Sequence, residues 1–275
     1  MQLQILGTAA AEGWPGVFCG CDNCKKAREL GGKNIRTRSG SMLGKMHKID
    51  FSPDSFSQAL RHGLDWEQLE HLFITHSHGD HFYPAEIAMR HEVFAHPPRG
   101  KKSMRQLTIY GDQYVYQRLV ETVPDYERAN VAYCSLKAFS PVKAGSITAI
   151  PLPANHMKEQ NAFIYLFIED GKTLLYALDT GWFPDETWEF LSDWVLDCVV
   201  LDTTCGDLRC RDGHIGVSEV IETKEWLVEK GQLAERSLVI ANHFSHNGGL
   251  LHHELEARLS PHGILTAYDG MIVTF

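Results

Sequence analysis

The sequence predicts an α/β protein built from two mixed β-sheets with helices on the outside. Two observations predict it. Short apolar runs that read as strands alternate with amphipathic helical stretches in both halves of the chain. No linker separates those halves, so residues 1–275 are expected to form one domain.

Taken in order, Gln2–Leu6 reads as a first strand that stops at Gly7. Residues 8–41 are rich in Gly and Cys and read as an irregular loop carrying a cysteine cluster. Residues 42–49 and 72–75 read as strands before loops, and 107–111 as a strand with a terminal glycine. Between them, residues 82–106 are polar and read as an insertion or lid. Their Arg90, His91, His96 and Arg99 suit either phosphate recognition or an ordinary surface.

Residues 112–121 read as a helix, and 145–153 as a strand with a proline-marked exit. Residues 161–180 form a hairpin turning at Asp170–Gly171 and running into Asp179. A short helix at 185–194 precedes a buried strand at 197–204. An amphipathic helix at 218–231 stops at Gly231, and the buried strand 237–242 leads to His243. A helix near 249–259 and short strands near 264–267 and 271–275 close the chain.

Composition narrows the function. With 26 Lys plus Arg against 35 Asp plus Glu, the net charge is −9, which argues against a large nucleic-acid surface. No run of about 20 apolar residues is present, so no membrane span is expected, and the start does not read as a signal peptide. A cytoplasmic protein is expected. Seven unevenly spaced cysteines do not suit a disulfide scaffold in a chain of this length.

The chemistry concentrates in His76-Ser77-His78-Gly79-Asp80-His81, directly after the apolar run Leu72–Ile74. A loop that is His-rich by chance is the plainer reading. Three imidazoles and a carboxylate within six residues nevertheless repel one another as cations and resist burial without partners. Neutral imidazoles and a carboxylate suit Zn²⁺, Mn²⁺ or Fe²⁺, and two such pairs on one loop suit two nearby ions. Each ion wants further donors. His156, Asp179 and His243 each lie at or just beyond the end of an apolar strand, and Asp179 is placed to bridge two ions. Singly each reads as a capping or core residue; together they read as a site built at one edge of a sheet. Two divalent ions can share a water and lower its pKa, giving a hydroxide for attack on phosphorus or a carbonyl.

Cys19, Cys21 and Cys24 form a C-x-C-x₂-C cluster suited to tetrahedral zinc, with a fourth ligand required from elsewhere. Free or redox-active thiols and an iron–sulfur centre are the alternatives. His47, Lys48 and Asp50 stand near one strand end, and Trp182 follows Asp179; the residue types alone do not assign them a role.

The opening LGTAAAEG, the cysteine cluster, the His76–His81 motif, LPANH, LDT, DGH and the ending NHFSH with AYDGM together resemble the metallo-β-lactamase superfamily. Within it the pattern is most similar to the phosphoribosyl cyclic phosphate phosphodiesterases of the carbon–phosphorus lyase pathway. The resemblance implies an αββα sandwich. It also implies that His76, His78 and His156 hold one metal, that Asp80, His81 and His243 hold the other, and that Asp179 bridges them. It gives His246 as the fourth ligand of a structural zinc and His214 as a catalytic proton donor, with Asp80 orienting the nucleophile. The cofactors it implies are two active-site cations (Mn or Zn) and one structural Zn. The expected substrate is a small cyclic phosphate or phosphodiester, and a homodimer is compatible with it. Lactone or thioester hydrolysis, transfer-RNA 3′ processing and a non-catalytic metal-binding role are the competing functions.

Overall fold

Apolar residues in these strands alternate between two cores, which sets how the sheets lie. Leu3 and Ile5 enter one core, and Leu6, on the opposite face, enters the other. Phe73 and its neighbours Leu72 and Ile74 divide in the same way. The computed structural model describes residues 1–157 and 159–275.

In chain order, the strands are β1 (Gln2–Gly7), β2 (Gly40–Leu43), β3 (His47–Ile49), β4 (His71–Phe73), β5 (Leu107–Gly111), β6 (Val131–Ser135) and β7 (Val142–Ala144). There follow β8 (Ile147–Pro153), β9 (Phe163–Glu169), β10 (Lys172–Ala177), β11 (Leu196–Asp202), β12 (Leu233–Asn242), β13 (Leu265–Thr266) and β14 (Ile272–Thr274). They form two seven-stranded sheets, ordered β14-β1-β2-β3-β4-β5-β6 and β13-β12-β11-β10-β9-β8-β7. Both are mixed: β3 to β6 and β10 to β13 run parallel, and the remaining pairs are antiparallel. The helices are α1 (Asp22–Leu30), α2 (Ser55–His62), α3 (Gln113–Thr122), α4 (Asp185–Leu191), α5 (Val217–Glu229) and α6 (His252–Leu259). The expected sandwich of two mixed sheets flanked by helices is what forms.

Parallel pairing explains the location of the chemistry. Strands that run the same way release their chains at the same end, so β10, β11 and β12 open into loops on one edge of the second sheet, and the loop after β4 of the first sheet meets them there through the contact of His81 with Asp179.

Three departures have local causes. The loop at 8–41 contains α1, whose first turn is capped by the Cys21 side chain accepting from Cys24 N; only Cys24 and Ala27 of this helix are buried, so little apolar periodicity advertises it. Helix α2 and strands β6 and β7 were not anticipated. Residues 82–106 pack as part of the layer over the first sheet: Phe82 and Ile87 enter its outer core with Val115 and Leu119 of α3. Arg90 donates to the carbonyls of Ala129 and Arg105, and His91 faces Asp125. Among the described residues, no helix is long and apolar enough to cross a membrane.

Candidate metal centre

Each predicted metal residue lies at or just beyond a strand exit. His76, His78, Asp80 and His81 follow β4, His156 follows β8, Asp179 follows β10 and His243 follows β12. The structure brings them into two adjoining groups. Donor atoms of His76, His78 and His156 lie within 4.8 Å of one another, as do those of Asp80, His81, Asp179 and His243. His76 Nε2 faces His78 Nδ1 at 2.9 Å. Asp179 Oδ2 contacts His81 Nε2 and lies 3.2 Å from His243 Nε2, while Asp80 Oδ2 is 3.3 Å from His81 Nε2.

The protein itself leaves this cluster unfinished. His156 Nε2 is buried without a hydrogen-bond partner, and Nε2 of His81 and His243 and Oδ2 of Asp179 are buried with polar neighbours only inside the cluster. Leaving a buried polar group unpaired costs about 1–3 kcal/mol. Divalent cations would satisfy all four, so the donor set fits them.

The opposite ring nitrogens are all engaged. His76 Nδ1 donates to Thr75 Oγ1 at 3.0 Å, His81 Nδ1 to Asp50 Oδ2 at 2.7 Å and His156 Nδ1 to the Gly213 carbonyl at 3.1 Å. His243 Nδ1 donates to Thr204 Oγ1 at 2.7 Å, and that hydroxyl donates on to Asp202 Oδ2 at 3.1 Å. These bonds orient each ring and turn its Nε2 toward the cluster. Asp50, Asp179 and His243 adopt positive φ (57°, 50° and 63°), a region costly for non-glycine residues and concentrated at functional sites.

The charges also call for a cation. Burial alone would lower the pKa of His81, but Asp179, Asp50 and Asp80 outweigh it and raise it well above the ordinary value. Burial is likewise outweighed at His243, which Asp179 and Asp202 push up to about 10. Burial would raise the Asp179 carboxyl, yet His243 and His81 hold it well below the usual carboxylate range. Asp80 is lowered in the same way by His81. Protons thus stand where metal would bind, and metal uptake releases them.

His214 sits beside this cluster, with Nδ1 3.1 Å from Asp202 Oδ2 and 3.4 Å from Asp179 Oδ1. Its donor atom also groups with Asp179, Asp202 and His243. Burial opposes protonation of His214, but Asp202 and Asp179 raise its pKa. Asp202 itself is fully buried and lowered to about 2, its burial outweighed by His214 and His243.

Sequence reasoning passed over Asp202 as a functional residue and left Asp50 without a role. Both end or follow an apolar strand as Asp179 does, so the signal was available. The loop after Asp202 is closed by a disulfide between Cys205 and Cys210, a local bond rather than the scaffold the cysteine count argues against. Trp182 packs on Trp188 at 5.3 Å between ring centroids, under the Arg211 guanidinium at 4.3 Å.

Cys19, Cys21, Cys24 and His246 also converge within 4.8 Å. His246 Nδ1 is 3.6 Å from Cys21 Sγ and 3.9 Å from Cys19 Sγ. The Cys24 amide, at the start of α1, lowers the Cys21 thiol, whereas burial pushes Cys24 up to about 11. His246 is three residues after His243, so one short segment serves both clusters. A separate cavity of about 640 Å³, lined by Phe51, Phe56, Trp66 and Met89 among others, includes none of these donors.

Comparison with known proteins follows the same lines. The profile of a family described as beta-lactamase superfamily domain matches residues 48–239. No curated protein matches the chain at a significant level. Among solved structures, all of this chain aligns with 97% of a new diphosphatase from the PhnP family at 23% identity and TM-score 0.78. Zn²⁺-bound PqqB from Methylobacterium extorquens aligns over 100% of both chains at 15% identity and TM-score 0.73. The short form of human tRNase Z aligns over 100% of this chain and 99% of its own at 14% identity and TM-score 0.65. At these identities the likeness is one of fold.

Proposed function

Because this chain belongs to the beta-lactamase superfamily, we propose that it is a hydrolase dependent on two divalent cations and that it cleaves a small cyclic phosphate or phosphodiester. The observation that carries this reading is the convergence of four buried ligand-type atoms, on His81, His156, His243 and Asp179, that have no hydrogen-bond partner outside the cluster. The likeness to a PhnP-family diphosphatase supports a phosphate substrate and favours a pyrophosphate bond as the second reading.

In this reading His76, His78 and His156 hold one ion, Asp80, His81 and His243 the other, and Asp179 lies between them. The ions supply Lewis acidity and lower the pKa of water, either as Mn²⁺ or Zn²⁺. Asp80 stays ionised and orients the attacking oxygen by accepting a hydrogen bond from it. His214, held at Nδ1 by Asp202, presents Nε2 as the proton donor to the leaving alkoxide. The whole chain acts as one domain on a small molecule in the cytoplasm.

The test is steady-state turnover of a ribosyl cyclic phosphate, bis(p-nitrophenyl) phosphate, a sugar pyrophosphate, a lactone and a thioester, after separate loading with Mn²⁺ and Zn²⁺. Preferred cleavage of the cyclic phosphate or diester supports the reading. Turnover confined to the carbonyl substrates overturns it.

Cys19, Cys21, Cys24 and His246 are assigned to a structural zinc that ties the N-terminal loop to the segment carrying His243. Cys21→Ser should then lose one zinc per chain and lower Tm by about 5–10 °C, at roughly 2–4 °C per kcal/mol for a protein of this size. Elemental analysis and thermal melts of the purified variant check both effects.

A further inference from the structure

Lys48 is fully buried in β3. Its partners across the sheet are the apolar residues Met42 and Leu72. A buried ammonium among such neighbours is expensive, and an aliphatic side chain would serve packing better. Burial pushes its pKa down to about 7 despite the pull of Asp50. Lys48 Nζ donates to the Asp50 carbonyl at 2.6 Å and lies 5.5 Å from the ring centroids of both Phe51 and Trp66.

Asp50 is where the first sheet grips the His76–His81 loop. Its amide donates to Phe73 O at 2.8 Å. Its carboxylate accepts from Thr75 N at 2.8 Å, from Thr75 Oγ1 at 3.0 Å and from His81 Nδ1 at 2.7 Å. The next amide, Phe51 N, donates to His81 O at 2.7 Å. All of this requires Asp50 at a φ of 57°, which a non-glycine residue rarely holds unless its surroundings enforce it. The Lys48 ammonium fixes the carbonyl of that residue and so fixes the orientation of its peptide.

We propose that Lys48 is a positioning residue for the metal centre: it clamps the left-handed Asp50 so that the Asp50 carboxylate holds His81 in its metal-facing tautomer and orientation. This rests on the two-cation reading above. Loss of the clamp frees the Asp50 peptide to rotate, and His81 loses its anchor.

The test uses full-length metal-stripped protein titrated with Co²⁺ against a competing chelator, following the visible bands of the histidine–carboxylate site. Thiolate-to-cobalt absorption from the cysteine cluster serves as an internal reference. Lys48→Met should keep or raise Tm, leave the thiolate bands unchanged, and weaken Co²⁺ at the histidine–carboxylate site by about 10–100-fold, the usual size of an outer-shell loss. Lys48→Gln, which retains an N–H donor, should recover part of that loss. In a cycle with Asp50→Asn, the double variant should lose no more affinity than Asp50→Asn alone; the Gln variant serves for this cycle if the Met variant does not fold. Unchanged Co²⁺ affinity in the Lys48 variants, or losses that add in the cycle, overturns the proposal. Failure of the unaltered protein to bind cobalt outside the cysteine cluster would instead overturn the two-cation reading.

Discussion

Asp179→Ala should lower kcat/KM on the preferred phosphodiester by roughly 10³-fold, the scale of loss when electrostatic stabilisation of developing charge is withdrawn. Active-site metal should fall from two ions per chain to one or fewer. The reason is geometric. Asp179 Oδ2 meets His81 Nε2 and His243 Nε2, and Asp179 Oδ1 faces His214, so one carboxylate joins three of the residues assigned to catalysis. Its removal also withdraws the first of the anions that raise the pKa of His81 and His243, leaving Asp50 and Asp80 beside the one and Asp202 beside the other. Elemental analysis beside kinetics checks the prediction. A variant retaining two ions and wild-type turnover would remove Asp179 from the centre.

His214→Gln should behave differently. Metal content and KM should hold, while kcat on an alkyl phosphodiester falls by about 10²–10⁴-fold, the usual contribution of a positioned proton donor. A p-nitrophenolate leaving group needs little protonation, so bis(p-nitrophenyl) phosphate should be nearly spared. The pH profile carries the sign. The folded protein raises the His214 pKa, because Asp202 and Asp179 outweigh burial. The donor is competent below that pKa and is lost as pH rises through it, which gives the wild-type rate an alkaline decline. The variant should lack that limb. Equal losses on both leaving groups would assign His214 to metal binding instead, a role its proximity to Asp179 and His243 makes concrete.

How far the site could be read from sequence depended on the density of the signal. His76 to His81 stand out because three imidazoles and a carboxylate crowd into six residues. His156, Asp179 and His243 are legible through repetition, since each terminates or follows an apolar strand. Asp202 carries the same signal and was missed because its partners, His214 and Thr204, lie in a loop whose fold no periodicity reveals. Asp50 was noticed without a role, because its bonds to Thr75 and His81 accompany a left-handed backbone that no sequence pattern announces. Lys48 is the extreme case. Its residue type assigned it no role, and only the fold shows that it is buried, with Phe51 and Trp66 beside its ammonium. The sandwich itself was legible from the apolar runs, whereas α1 was obscured by its polar composition and a cap supplied by cysteine.

The most direct test is to strip the protein of metal, restore the cysteine-cluster zinc, and add Mn²⁺ or Zn²⁺ in measured equivalents while following phosphodiester turnover. Activity should remain near background until the histidine–carboxylate site begins to fill and should reach its plateau at two further ions per chain. Full turnover in the stripped protein, or a plateau reached without any ion beyond the cysteine-cluster zinc, would contradict a two-cation hydrolase.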